Sequence, residues 1–417
     1  MILYIDPGTG SMLFTILIGV IGAGFYSLRM LWIKLRFKIS GGKVKESSEK
    51  IPFAIFSDDK RYWPVFEPIC REMDRRGRDV VYMTASEDDP ALENAYPHIK
   101  AEFIGKDNRA FAKLNFLNAA IVLSTTPGLD VYQWKRSRDV QYYVHIPHAA
   151  REITMYRMFG IDYFDAILLS GEHQARDIRA LEELRGLSEK ELVMVGMPYM
   201  DEMAERLARL GSAPEHPRTV LLAPSWGPSA IFSVYGDKIL NKLLKTDYRI
   251  IVRPHPQSFA SEKEMLDKLM KDYPASERLE WNRDTDNFEV LRRSDILISD
   301  FSGVIFDFSL VFDKPVIYTA PQFNANLNDT WWLKTPPWTK SALPRIGREL
   351  TAENMDHLQE LIDTCLTDPQ YAEGRRQVKE ETWAYVGEGA KRVADYLLDR
   401  YGKLTSEKTN PSSEKTE

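Results

Sequence analysis

Residues Asp295–Tyr318 read "DILISDFSGVIFDFSLVFDKPVIY", and their pattern decides the fold. The first apolar run is short and β-rich, so a strand should stop near Ser299; the second, from about Val304 to Val311, has the length of a short helix; "PVIY" returns to strand chemistry. Strand, polar turn, helix, strand is the grammar of an α/β protein. The Ser-Asp-Phe-Ser-Gly turn has two readings. Ser302 or Asp300 caps the helix and nothing more, or the free amides of the first helical turn, with Gly303 allowing close approach, hold a negatively charged ligand.

The same grammar extends in both directions. Upstream, strand-like runs begin at Phe53, Asp79, Ala119, Val140, Asp165 and Glu191, with helical stretches such as Glu172–Arg185 between several of them. Gly- and Pro-containing Leu210–Thr219 interrupts the alternation. A second series then begins at Thr219, Tyr248, Asp295 and Pro315. Its strands are apolar without alternation, as expected where helices cover both faces of a parallel sheet. The expected architecture is two doubly wound Rossmann-type domains facing a cleft, with ligands beyond the carboxyl ends of the strands. Their bounds are 46–210 and 211–401, followed by a polar, disordered tail over 402–417.

Residues 1–45 depart from this scheme. Nothing charged lies between Asp6 and Arg29, and Pro7–Leu28 is long enough to cross a bilayer. Arg29, Lys34, Arg36, Lys38, Lys43 and Lys45 follow with no acid among them. The positive-inside rule therefore predicts a single-pass membrane helix with the remaining chain in the cytoplasm.

The 417 residues carry a net charge of −6, so no basic field favours nucleic acid. Any anion site must be local. Cys70 and Cys365 form no metal or disulfide motif, "SDDK" (57–60) and "EDDP" (87–90) read as solvated loop acids or weak divalent sites, and neither GxGxxG nor a P-loop occurs. No cofactor and no metal are implied.

Three stretches end strands with reactive chemistry. In "IIVRPHPQS" the prolines stiffen the backbone around Arg253 and His255; the alternative reading is a strand end with a capping histidine. The 299–303 turn is the second. The third is "YYVHIPHAAREI", where His148, after Pro147, is the candidate for the cleft and His145 reads as packed inside the strand. His98, His173, His216 and His357 read as solvated.

Taken in order, the histidine turn, "VGMPYMDEM", "LLAPSW", "RPHP" and "SDFSGVIFDFSLVFDKPVIY" resemble the CDP-glycerol glycerophosphotransferase family of teichoic-acid and capsule polymerases, over roughly Tyr142–Tyr318. The resemblance implies a GT-B fold and transfer of a polyol phosphate from CDP-glycerol or a related CDP-polyol to a lipid-linked or polymeric glycan acceptor at the cytoplasmic face of the membrane. It implies that His148 and His255 are catalytic, and that Arg253, Ser299, Asp300, Ser302 and Gly303 bind the donor phosphates. Two features depart from the family pattern: Ala149 and Ala150 follow His148 where Gly and a hydroxyl residue are usual, and an apolar segment begins the chain. A nucleotide-sugar transferase of the same fold and a catalytically silent glycan-binding protein are the alternatives.

Overall fold

The computed structural model describes residues 50–409 apart from 285 and 321–324. The expected membrane helix over Pro7–Leu28 lies outside the described residues. Among the described residues no helix is long and apolar enough to cross a membrane.

Two wholly parallel sheets organise the chain from Ile51 onward. The first contains β1 (Ile51–Ser57), β2 (Val80–Thr84), β3 (Ile99–Phe103), β4 (Ala119–Ser124), β5 (Val140–His145), β6 (Ala166–Leu169) and β7 (Glu191–Met194), in the spatial order 3-2-1-4-5-6-7. The second contains β8 (Thr219–Ala223), β9 (Arg249–Val252), β10 (Leu279–Trp281), β11 (Ile296–Ser299), β12 (Val316–Tyr318) and β13 (Gly347–Glu349), in the order 10-9-8-11-12-13. Each order reverses once, beside β1 and β4 in the first lobe and beside β8 and β11 in the second. Those two reversals are where a doubly wound sheet opens a crevice.

The central strands explain why the sheets are parallel. Every residue of β4, β8 and β11 is buried, so each must be covered on both faces, which right-handed helical crossovers achieve. One apolar core fills the first lobe around Ile55, Phe66, Tyr82 and Ile121, and another fills the second around Leu222, Ile250 and Ile298. A third cluster joins Ala150, Met197 and Met200 to Leu221, Phe306 and Phe308. The lobes therefore share packed side chains as well as a cleft.

Three strands carry too little signal to be expected from the sequence. β3, β10 and β13 are edge strands with charges along them, so their burial pattern is broken. The expected boundary at 401 also differs from the structure. The last helix, Gly389–Thr409, continues past Gly402, so residues 402–409 are helical rather than a disordered tail. Its Val393, Ala394 and Leu397 pack into the first lobe's core, which the chain re-enters after finishing the second. Asp201 secures that return by accepting from the amides of Gly387 at 2.7 Å and Gly389 at 2.9 Å.

The helix expected over Val304–Val311 spans those residues, but only Val304–Phe306 is α-helical; Asp307–Val311 is a π-helix. Ser309 returns a hydrogen bond to the Ile305 carbonyl at 2.7 Å, and buried Asp307 accepts from the Tyr199 hydroxyl at 2.6 Å. A local side-chain bond and one tertiary partner thus accompany this single π-turn, the form in which π-helices mostly occur.

Candidate active site

The first lobe contributes the ends of β1, β4 and β5. Asp58 follows β1 directly, and its carboxylate accepts from Thr126 Oγ1 at 2.8 Å just beyond β4. It is open to solvent but surrounded by protein, the geometry of a cleft floor. Burial among these atoms raises its pKa, against the lowering effect of the Thr126 hydrogen bond.

β5 delivers His145 and His148 to opposite fates. His145 is fully buried, and its Nε2 lies 3.4 Å from the Tyr156 hydroxyl. Pro147 then carries the chain out, leaving His148 half-buried with Nδ1 3.1 Å from Thr125 Oγ1. The rings of Tyr62 and Tyr156 pack on it at 4.8 and 5.9 Å between centroids. Burial, then the charges of Arg151 and Arg61, push its pKa down to about 4. At neutral pH His148 is therefore an uncharged imidazole with a free lone pair.

The second lobe presents β9. Pro254 and Pro256 bracket His255, and the Gln257 amide donates to His255 Nδ1 at 3.1 Å. A backbone amide can only donate, so in the neutral ring the proton sits on Nε2. Burial and then the Arg61 guanidinium lower the pKa of His255. Arg253, half-buried, donates to Asn282 Oδ1.

The turn after β11 divides into two parts. Ser299 is fully buried and donates to the Ala223 carbonyl at 2.6 Å, which ties β11 to β8. Asp300 is fully buried too: its oxygens accept from the Ser225 amide at 3.0 Å and the Ile231 amide at 3.1 Å. Both side chains, expected at the donor phosphates, are buried and brace the loop behind the 301–303 turn, so the atoms this turn leaves open are those of residues 301–303. Asp300 does not cap the helix either. The cap position is Gly303, which has no side chain to offer, and the Val304 amide reaches Ser302 Oγ only at 3.5 Å.

Gly303 is where the lobes meet. A Cβ placed on it would lie 3.4 Å from the Ala149 Cβ, next to His148. Arg151 Nη1 donates across the same seam to the Phe301 carbonyl at 2.9 Å. The structure thus brings His148, Gly303 and the open end of the 301–303 turn together, and Arg61 acts on both His148 and His255.

Other residues depart from their expected places. Asp58 and Asp59, in the stretch expected to hold solvated loop acids or a weak divalent site, lie in the loop after β1, an interior strand of the first sheet, with Asp58 exposed and Asp59 half-buried. Arg61, Tyr62, Thr125 and Tyr156 carried no sequence signal. His173, expected to be solvated, is buried, with its ring 4.3 Å from that of Trp338 and its pKa lowered to about 4, chiefly by burial. Trp338 is buried as well, whereas Trp331 and Trp332 are exposed.

Residues 162–399, more than half of the chain, match the sequence profile of the CDP-glycerol:poly(glycerophosphate) glycerophosphotransferase family. The chain belongs to that family. The matched stretch includes Arg253, His255 and the 299–303 turn and begins downstream of His148. Among curated proteins, the teichoic acid glycerol-phosphate primase of Bacillus spizizenii is 28% identical over 167 residues, which cover 37% of this chain and 40% of that protein. The similarity therefore spans less than half of the primase's length.

Solved structures agree on the fold of this glycerophosphotransferase-family chain. The wall teichoic acid polymerase TagF, in a structure soaked with CDPG, superposes with a TM-score of 0.54 at 16% identity over 91% of this chain and 99% of that one. MnaA of S. aureus with UDP gives a TM-score of 0.58 at 11% identity, covering 85% and 97%. A UDP-N-acetylglucosamine 2-epimerase described as putative, from Listeria monocytogenes, gives 0.56 at 13%, covering 85% and 97%. At these identities the likeness concerns architecture, and that architecture is GT-B-like.

Proposed function

We propose that this chain transfers a polyol phosphate, most directly glycerol phosphate, from a CDP-linked donor to an acceptor hydroxyl of a membrane-associated glycan or teichoic-acid-like polymer, releasing CMP. One observation carries the reading: the histidine turn after β5 meets the 301–303 turn after β11, with a Cβ placed on Gly303 lying 3.4 Å from the Ala149 Cβ beside His148 and Arg151 donating to the Phe301 carbonyl at 2.9 Å. Family membership and the likeness to the primase and to TagF favour this donor class.

The residues divide the work by what their atoms offer. With Nδ1–H donating to Thr125 Oγ1, the His148 Nε2 lone pair accepts the proton of the attacking hydroxyl. The acceptor oxygen bonds to the glycerol-bearing phosphorus of the donor, the bond from that phosphorus to the bridging oxygen breaks, and the electron pair leaves on CMP. His255, with its hydrogen on Nε2, donates toward the leaving phosphate, and Arg253 and the 301–303 backbone neutralise the charge that gathers there. The bound diphosphate also raises the proton affinity of His148, since an opposing charge now offsets Arg61 and Arg151. In this reading Pro7–Leu28 anchors the chain, and the basic residues after it keep the cleft on the cytoplasmic side.

Full-length protein extracted in detergent and given radiolabelled CDP-glycerol, CDP-ribitol or UDP-sugars tests the reading. Labelled polymer and CMP from a CDP-polyol are expected. Product from a UDP-sugar alone, or from none of the donors, contradicts it. His255→Ala should abolish turnover while leaving the thermal midpoint unchanged.

A further inference from the structure

Beside the cleft lies an aromatic surface that catalysis does not use. Residues 155–160 and 327–332 run together: Arg157 and Asn328 form an antiparallel bridge, the Met158 amide donates to the Leu327 carbonyl at 3.2 Å, and the Asp329 amide donates to the Tyr156 carbonyl at 3.0 Å. Tyr156 is also the ring against His148, so this surface adjoins the site. It exposes Tyr132, Phe159, Leu327, Trp331 and Trp332, with Leu327 65% and Trp331 59% accessible. A contiguous patch of this kind on a protein surface marks an interaction site.

The patch is held rigidly from beneath. Arg185 pairs with Asp162 at 2.7 Å and Asp329 at 2.5 Å, and all three side chains are buried. Its guanidinium lies 4.9 Å from the Phe159 ring centre and 5.0 Å from that of Trp332. Asp329 also accepts from the Phe159 amide at 2.7 Å and fixes that residue at φ 65°, a conformation costly for a bulky side chain. Arg185 thus engages Asp329, the one acid of these two segments, together with neighbouring Asp162. Lys135, Arg157 and Lys334 remain as exposed cations around the aromatic rings.

We propose that this surface docks onto an anionic phospholipid bilayer. Exposed Trp and Tyr side chains rimmed by Lys and Arg match the boundary between headgroups and acyl chains, where amphipathic rings enter and cations meet lipid phosphate. The apolar Pro7–Leu28 segment with its basic flank favours lipid over a protein partner as the occupant. The contact does not depend on which donor the enzyme uses.

The test uses the full chain in vesicles of phosphatidylglycerol and phosphatidylcholine, with and without brominated acyl chains that quench tryptophan. Wild type should lose more emission than W331F/W332F, by up to the share of two of its nine tryptophans, while quenching of Trp32 in the amino-terminal segment persists in both. R157E/K334E, which keeps the rings, should be quenched less than wild type in the mixed vesicles and equally in phosphatidylcholine alone. Equal quenching of wild type and W331F/W332F overturns the proposal. So does finding that W331F/W332F instead dissociates a dimer of the wild type in sedimentation, which would make a second copy the occupant. Matched circular dichroism and thermal midpoints of the variants exclude misfolding as the cause of a difference.

Discussion

Asp300→Ala separates a bracing role from a ligand role, because only the first predicts a large loss of stability. Asp300 is fully buried and satisfies the backbone amides of Ser225 and Ile231. Removing the carboxylate leaves two buried N–H groups without acceptors, at about 1–3 kcal/mol each. Burial already raises this carboxyl's pKa, so loss of a desolvated charge offsets part of that cost. A net destabilisation of about 3 kcal/mol is expected, with the 224–231 loop loosened. Urea unfolding measures the first, and hydrogen exchange at the Ser225 and Ile231 amides measures the second. Calorimetry with CDP-glycerol should show weaker binding, because the loop behind the site is no longer held. Unchanged stability together with weaker donor binding would refute the reasoning, since a residue that only contacts the ligand gives that result.

Three further outcomes are expected. In kcat/KM, which reports the free enzyme, the acid limb should fall near pH 4 rather than near 6.5, because burial and the arginines keep His148 neutral above its lowered pKa; a limb at 6.5 would remove His148 as the base. Gly303→Ala should leave activity near wild type, since Gly303 has φ −59° and 3.4 Å of room to the Ala149 Cβ, whereas Gly303→Val should push the lobes apart and raise KM about tenfold. Equal effects of the two would deny that the lobes touch there. Finally, His173 has a folded pKa of about 4 against about 6.5 unfolded, so the unfolded chain takes up its proton first and stability falls as pH drops between those values. His173→Gln should make the pH dependence of stability shallower by about 1.2 kcal/mol per pH unit near pH 5, measured by urea titration; an unaltered slope would mean His173 is not held neutral.

Legibility in the sequence tracks burial. Strands covered on both faces, such as β8 and β11, announce themselves as unbroken apolar runs, and their order pointed to the two-lobe architecture. β3, β10 and β13 stayed hidden because an edge strand tolerates "IKAEF", "LEW" and "GRE". The returning helix Gly389–Thr409 could not be assigned to a lobe from its own amphipathic pattern, since that pattern states that one face is covered but not by which partner.

The site divides in the same way. The placement of His255 beyond its strand was legible because two prolines bracket it, and that of His148 because Pro147 ends β5. For Ser299 and Asp300 the residue types were suggestive and the direction was not: both turn inward to the β8 loop. Asp58 and Thr126 are brought together by the pairing of β1 with β4, a relation between segments 68 residues apart that no local pattern contains.

The central claim is that a CDP-linked donor lies between His148 and His255 with its diphosphate at the 301–303 turn. A crystal structure of His148→Ala protein with CDP-glycerol tests it most directly. The account predicts diphosphate oxygens within hydrogen-bonding distance of His255 Nε2 and the Gly303 amide, with the glycerol phosphate facing the emptied position of His148. A donor bound elsewhere on the chain, or one whose phosphates face away from His255, would contradict it.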